Sequence, residues 1–328
     1  MNAAAGTGAA AGHAPVMLDR VRALLRPALE SDGAVLIDAT LGRAGHARML
    51  LADHPRLTLI GIDADQAAIE ESARLLADDN RRVLLVHAAY DQIPRMLSDL
   101  GQSTVQGVLF DLGVSSPQLD DPARGFSYAR DAPLDMRMDL AARLTAADVV
   151  NTYPADRLAQ VLSRYGEERF ARRIADAVVR ERAREPLTST LRLAEIVRDS
   201  IPAPARRRGG HPAKRTFQAL RIEVNDELGT LTRALPAALD AIAVGGRIVV
   251  LAYHSLEDRI VKRELARRSA DTTPPGLPVP HEASRPTFRL LTSGAERPQE
   301  AELAANPRAA SARLRAAERL RHPARTAA

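Results

Sequence analysis

The 328-residue chain has no cysteine and no tryptophan. Without cysteine there can be no thiolate-ligated zinc and no iron–sulfur cluster, which excludes radical chemistry that depends on such a cluster. Nor is there a thiolate nucleophile, so cysteine-dependent covalent catalysis is excluded too. A cysteine-free chain fits a reducing compartment, and a cytoplasmic location is expected. No apolar run is long enough to span a bilayer, so no membrane partner is expected. The N-terminus has no charged segment followed by an apolar one, so no signal peptide is expected. Residues 1–12 are nearly all Ala and Gly and read as a disordered tail.

Lysine is also scarce. Lys214 and Lys262 are the only two, so the 46 basic side chains are almost all arginine, against 41 acidic ones. Arginine suits bidentate phosphate contacts and base stacking, although a GC-rich genome would also encode it often. Position says more than the total. Between Ser200 and Arg221 no acidic residue occurs, whereas Arg206, Arg207, Arg208, Lys214, Arg215 and Arg221 are basic. Such a stretch suits a phosphate backbone. The chain has only five Tyr and five Phe. Phe126 and Tyr128 lie in a Gly/Pro-flanked loop.

The apolar pattern alternates strand and helix over residues 34–113 and implies a parallel sheet covered on both faces. Expected strands are Ala34–Asp38, Leu57–Asp63, Arg82–His87 and Gln106–Asp111, with helices at Ala47–Ala52 and Gln66–Asp78. From about Asp120 to Thr216 the pattern is helical, with stretches at Ala155–Ser163, Glu167–Glu185 and Thr190–Ser200. One long helix is expected from Phe217 to Ala243, broken or kinked at Pro236. The strand Gly245–Tyr253 then resumes the α/β pattern, and Phe288–Leu291 reads as a last strand. The economical division is a sheet domain of residues 13–119 and 217–305 interrupted by a helical insertion at 120–216. An Arg-rich tail at 306–328 follows. Residues 270–286 carry five prolines and read as a surface loop.

Ligands of open parallel sheets bind at the C-terminal strand ends. Here those ends carry Asp38 with the Gly42–His46 turn, then Asp63, Tyr90 and Asp111. The turn lacks the Gly-Lys-Ser/Thr of a P-loop and the glycine spacing of a dinucleotide site. Asp63 can accept from both ribose hydroxyls of an adenosyl group, and Asp65 is the better helix cap. Tyr90 could pack on adenine, and a core tyrosine is the competing reading. Two acidic strand ends and a glycine turn favour an adenosyl cofactor over a bare phosphate. His254 and Glu257, on the turn after the next strand, share the sheet edge with Asp111.

Four stretches carry a resemblance: DLGVSSPQLDDPARGFSYARDAPLDMRM at 111–138, YGEERFARR at 165–173, HPAKRTFQALRI at 211–222 and HSLEDRIVK at 254–262. Together they resemble the ribosomal small-subunit methyltransferase H family, also called MraW, over about residues 13–320. The resemblance implies a Rossmann-like class I methyltransferase sheet with an inserted all-helical domain. It also implies S-adenosyl-L-methionine as cofactor and N4-methylation of a cytidine in 16S rRNA near the decoding centre. Carried over, cofactor contacts fall on Ala44, Gly45, His46, Asp63, Tyr90, Asp111 and Gln118. Ala44 stands where the family often has Gly, and Tyr90 where Phe is common. Asp111, or a carbonyl or hydroxyl in 112–117, is the expected acceptor for the substrate amine, with His254 and Glu257 as the second candidates. Phe126, Tyr128, Arg206, Arg207, Arg208, Lys214 and Arg215 are the expected substrate contacts. No metal ligand set is expected, and no DNA. Two rivals remain: a DNA amino-methyltransferase, and a non-catalytic RNA-binding assembly factor on the same fold.

Overall fold

The computed structural model describes residues 15–206, 210–273 and 284–322. The expected tail at 1–12, Arg207, Arg208 and most of the Pro-rich loop lie outside these residues. Seven strands form one sheet: β1 (Val35–Asp38), β2 (Thr58–Asp63), β3 (Val83–His87), β4 (Val105–Asp111), β5 (Ile242–Ala252), β6 (Phe288–Leu290) and β7 (Arg313–Arg319). The order is β3-β2-β1-β4-β5-β7-β6. β1 to β5 pair in parallel, and β7 runs antiparallel to both β5 and β6.

The helices are α1 (Leu18–Leu29), α2 (Gly45–Asp53), α3 (Gln66–Leu75), α4 (Ile93–Asp99), α5 (Ser116–Asp120), α6 (Ala146–Thr152) and α7 (Ala155–Gly166). They continue as α8 (Ala171–Arg182), α9 (Thr190–Ser200), α10 (Ala203–Arg206), α11 (Lys214–Asn225), α12 (Glu227–Ala241), α13 (Ser255–Ser269) and α14 (Glu300–Ala305). None of the described helices is long and apolar enough to cross a membrane.

Strand alternation sorts the apolar residues onto two faces. Ile37, Ile60, Val108, Phe110, Ile248 and Val250 bury one face against α4, α12 and α13. Their neighbours Leu36, Leu59, Leu109, Val249 and Leu251 bury the other against α1 and α2. Because both faces are covered, the central strands read as continuous apolar runs. A third core, with no sheet, spans Phe126 to Val224 and gathers α6 to α9 and α11. It takes in Phe217, Leu220 and Val224, so α11 packs with the helical segment rather than with the sheet.

Three expectations are corrected. The chain breaks at Asp226, a left-handed residue (φ 46°) between α11 and α12, and not at Pro236, which lies inside α12. A left-handed residue ends a helix by redirecting the backbone, and it needs no proline to do so. The region 306–328 is not a plain basic tail, because β7 sits in the sheet between β5 and β6. Its sequence RLRAAER has no β-branched or aromatic residue to advertise a strand. Burial nonetheless reaches Leu314, Ala316, Ala317 and the Arg319 side chain, whose guanidinium donates to the carbonyls of Leu239, Asp240 and Ile242. Arg313 and Arg315 pair with Asp258 of α13, which fixes the basic side chains against the fold. Third, α1 lies outside the expected helices, although its Val21, Leu24, Leu25, Ala28 and Leu29 are buried.

Candidate active site at the strand ends

The strand order reverses between β1 and β4, and a ligand crevice belongs at that switch point. β1 ends on Asp38, β2 on Asp63 and β4 on Asp111, so three carboxylates close adjacent parallel strands. Burial pushes the Asp38 carboxyl up to about 7, partly offset by the Thr40 N–H, with Asp111 and Asp63 adding to the rise. Burial likewise raises Asp63, against the N–H groups of Asp65 and Gly42 that favour its charged form. Asp63 Oδ2 accepts from Gly42 N at 2.7 Å and Oδ1 from Asp65 N at 2.8 Å. The carboxylate thus ties the glycine turn to the end of β2 and still has lone pairs free.

Ala44 caps α2 in the left-handed region, at φ 54°. That conformation strains a residue with a Cβ and suits the Gly common in the resembled family. Gly45 next to it must be small, since a Cβ there would lie 2.7 Å from Pro15 Cγ. His46 is buried, with Nε2 3.0 Å from the Val16 carbonyl and Nδ1 3.5 Å from Asp111 Oδ2. Its ring therefore points at Asp111 and at the segment preceding α1.

Asp65 caps α3 as expected, accepting from Ala67 N. It also receives Gln118 Nε2 at 3.0 Å and Arg124 Nη1 at 2.8 Å, a buried network that sequence reading missed. Arg124 goes on to donate to the carbonyls of Arg137 and Met138, so the loop after β2 is bound to the start of the helical segment. Gln118 also accepts from Ser115 N in the cap of α5. Tyr90 is half-buried, its ring edge-on to Phe110 at 5.5 Å, and its hydroxyl lies 3.4 Å from the Glu227 carbonyl.

Asp111 is the strand-end carboxylate with the chemical interest. Its side chain keeps 26% exposure. Burial pushes its carboxyl up, while His46 and the hydroxyl of Tyr253 pull it back. Tyr253 donates to Oδ1 at 2.7 Å.

His254 and Glu257 are corrected as candidate catalytic groups. They form a reciprocal cap on α13: the His254 side chain accepts from Glu257 N, and Glu257 Oε2 accepts from the N–H groups of Tyr253 and His254. Their side chains are 8% and 3% exposed, and the cap occupies His254 Nδ1 and Glu257 Oε2. Burial pushes the Glu257 carboxyl up, but His254 and Arg221 outweigh it and hold it below the usual range. Glu227, His254 and Glu257 bring ligand-type atoms within 4.8 Å of one another. Arg221 already engages both oxygens of Glu227, at 2.8 and 2.9 Å, and supplies the positive charge there.

Phe126 is corrected as well. It is buried in the helical core, so its ring cannot stack on a base. Tyr128 stacks instead on His211, with centroids 4.4 Å apart, and meets Phe217 edge-on. The expected basic residues do gather. Arg206, Lys214 and Arg215 line a cleft of about 460 Å³ in the helical segment, together with Arg169 and Phe170.

A seven-stranded sheet with one antiparallel strand in next-to-last place and acidic ends on β1, β2 and β4 defines a class I S-adenosylmethionine-dependent methyltransferase. The cofactor carries a sulfonium and an ammonium, and three carboxylates ending adjacent strands suit such a cation while repelling a pyrophosphate. The chain belongs to the MraW methylase family, whose profile matches residues 10–320. The ribosomal RNA small subunit methyltransferase H of Thermobifida fusca is 63% identical over 96% of this chain and 95% of its own. The protein of the same name from Frankia alni is 62% identical, over 94% and 95%. That from Saccharopolyspora erythraea is 60% identical, over 94% of each.

Proposed function

We propose that the protein methylates the N4 amino nitrogen of a cytidine in 16S rRNA, near the decoding centre of the small ribosomal subunit. The observation that carries this reading is Asp111: a carboxylate that ends β4 at the switch point and is partly open. The relatives' shared name and near-complete coverage supply the ribosomal substrate. The missing cysteines favour nitrogen over ring carbon.

In the proposed site, Asp63 holds the ribose hydroxyls, and the turn at Ala44–His46 lets the backbone approach the cofactor. Tyr90 flanks adenine, Gln118 borders the pocket through Asp65, and Asp38 faces the cationic end. Bound S-adenosylmethionine supplies a methyl group already activated on positive sulfur. The protein's own task is to place the nitrogen in line, which can contribute roughly 7–11 kcal/mol. The cytosine amine is a weak nucleophile because its lone pair is delocalised into the ring. Asp111 accepts a hydrogen bond from that amine and then its proton: the N–H bonding pair stays on nitrogen, and an O–H bond forms on the carboxylate. Mass mapping of methylated nucleosides in rRNA from cells with and without the gene tests the reading. Loss of one N4-methylcytidine is expected; an unchanged map would overturn it. Methyl transfer to small subunits, and none to duplex DNA, separates it from the DNA-modifying rival.

Asp38 gives a pH dependence. A carboxyl that titrates near 7 in the free protein is largely protonated at pH 6, and a cation bound beside it expels that proton. Cofactor affinity should therefore rise between pH 6 and 8, with proton release in calorimetry at pH 6. A flat affinity over that range would remove Asp38 from the site. The sign for stability is opposite. A raised carboxyl binds more protons folded than unfolded, so the contribution of Asp38 to stability should fall as pH climbs from about 4 towards 7.

The basic cleft should hold phosphate. Replacing Lys214 or Arg215 by alanine should weaken binding to the subunit. It should also reduce the slope of log affinity against log salt by roughly one for each phosphate left without its cation. An unchanged slope in both variants would place the RNA elsewhere.

A further inference from the structure

Asp111 is hydrogen-bonded at one oxygen and approached at the other by groups outside its own strand. Tyr253, which follows β5, donates its hydroxyl to Oδ1 at 2.7 Å. His46, in the first turn of α2, places Nδ1 3.5 Å from Oδ2. The Asp111 backbone N–H donates to Thr40 Oγ1 at 2.6 Å. Tyr253 is itself fixed. Its backbone N–H donates to Glu257 Oε2 at 2.8 Å, and a Cβ on Gly113 would lie 3.5 Å from its ring. The buried cap of α13 thereby sets the place of the Tyr253 hydroxyl, and the hydroxyl sets the carboxylate.

The proton arrangement follows from the partners. The Val16 carbonyl can only accept, so His46 Nε2 carries a hydrogen. The Tyr253 hydroxyl on Oδ1 favours the charged form of the Asp111 carboxylate.

We propose that Tyr253 is a positioning residue for methyl transfer, whose hydroxyl, with His46 opposite, fixes the Asp111 carboxylate in one orientation for the substrate amine. This rests on the reading of Asp111 as the amine's acceptor. The groups facing Asp111 are His46 from α2, Tyr253 beyond β5, Glu257 from α13 and Asp38 from β1. Tyr253 can lose its hydrogen bond to Asp111 by removal of one oxygen, with its ring kept.

The test is Tyr253→Phe, assayed on small ribosomal subunits as kcat against pH, with KM for the subunit and cofactor affinity measured alongside. Losing one hydrogen bond to a charged group should lower kcat by about 10- to 100-fold. KM and cofactor affinity should stay within about twofold, because the hydroxyl touches neither ligand in this reading. The acid limb of the kcat profile should move to higher pH, since Asp111 loses a donor that favours its charge. In an Asp111→Asn background the Tyr253→Phe change should add nothing. A kcat and acid limb like the parent's, with Asp111→Asn strongly impaired, would overturn the positioning role and leave Asp111 in place. Losses that multiply in the double variant would also overturn it. Full turnover in Asp111→Asn alone would overturn the acceptor reading, and this inference with it.

Discussion

Asp111→Asn should lower kcat by roughly 10²–10³-fold, within the range that a positioned proton acceptor contributes. Asparagine keeps the shape and one acceptor oxygen, so the Tyr253 hydroxyl can still be satisfied. What it loses is the charge and the ability to take a proton. The other side of the residue would also change, with an amide N–H₂ or a neutral oxygen facing His46. Stability should not fall with activity. Burial pushes the Asp111 carboxyl up, so the folded protein already disfavours the charge, and a neutral isostere removes that cost. The pair of results to look for is a melting temperature equal to or above the parent's with single-turnover methyl transfer strongly slowed at saturating cofactor. Turnover within about threefold of the parent would end the role assigned to Asp111.

What could be read from the sequence, and what could not, follows from the range of the interactions. Asp63 and Asp111 were legible because each ends an apolar run, and strand ends gather at one edge of a parallel sheet whatever the tertiary detail. Asp65 was legible as a cap because capping is local. Its pairing with Arg124 and Gln118 was not, since those bonds span 59 and 53 residues. His254 and Glu257 misled for a related reason. A histidine and a glutamate three apart after a strand fit a catalytic pair and a helix cap equally well, and burial alone separates the two. Phe126 misled because a Gly/Pro-flanked loop suggests exposure, yet Gly125 (φ 71°) folds it tightly against Pro133, whose carbonyl would lie 2.2 Å from a Cβ at position 125. Tyr253 stood next to a recognised motif but bore no local mark of its partner, which lies 142 residues away. Strand β7 was hidden by arginines whose charges are answered by Asp258 and by helix-end carbonyls. Ala44 is the converse case. The resemblance flagged it as a departure, and its positive φ gives that departure a physical meaning.

The cofactor half of the site should fail separately from the chemical half, and Asp63→Asn is the variant that shows it. The carboxylate accepts from two backbone N–H groups and has remaining lone pairs for two ribose hydroxyls. An asparagine can satisfy only one of those N–H groups with its oxygen. Its N–H₂ then faces the other, either Gly42 or Asp65, and the glycine turn loses its tether. Two hydrogen bonds to a charged acceptor are worth about 1.5–3 kcal/mol each, so cofactor affinity should fall by roughly 10²–10⁴-fold. Tethering of the turn is lost in the same substitution, which makes the upper part of that range the expectation. Turnover at saturating cofactor should fall by no more than about tenfold, since Asp63 touches no group that changes bonding. Calorimetric titration with S-adenosylmethionine reads the first quantity, and single-turnover assays on small subunits read the second. A cofactor affinity within threefold of the parent's would remove Asp63 from the ribose. A large fall in saturated turnover with affinity unchanged would mean that β2, and not β4, carries the reacting carboxylate.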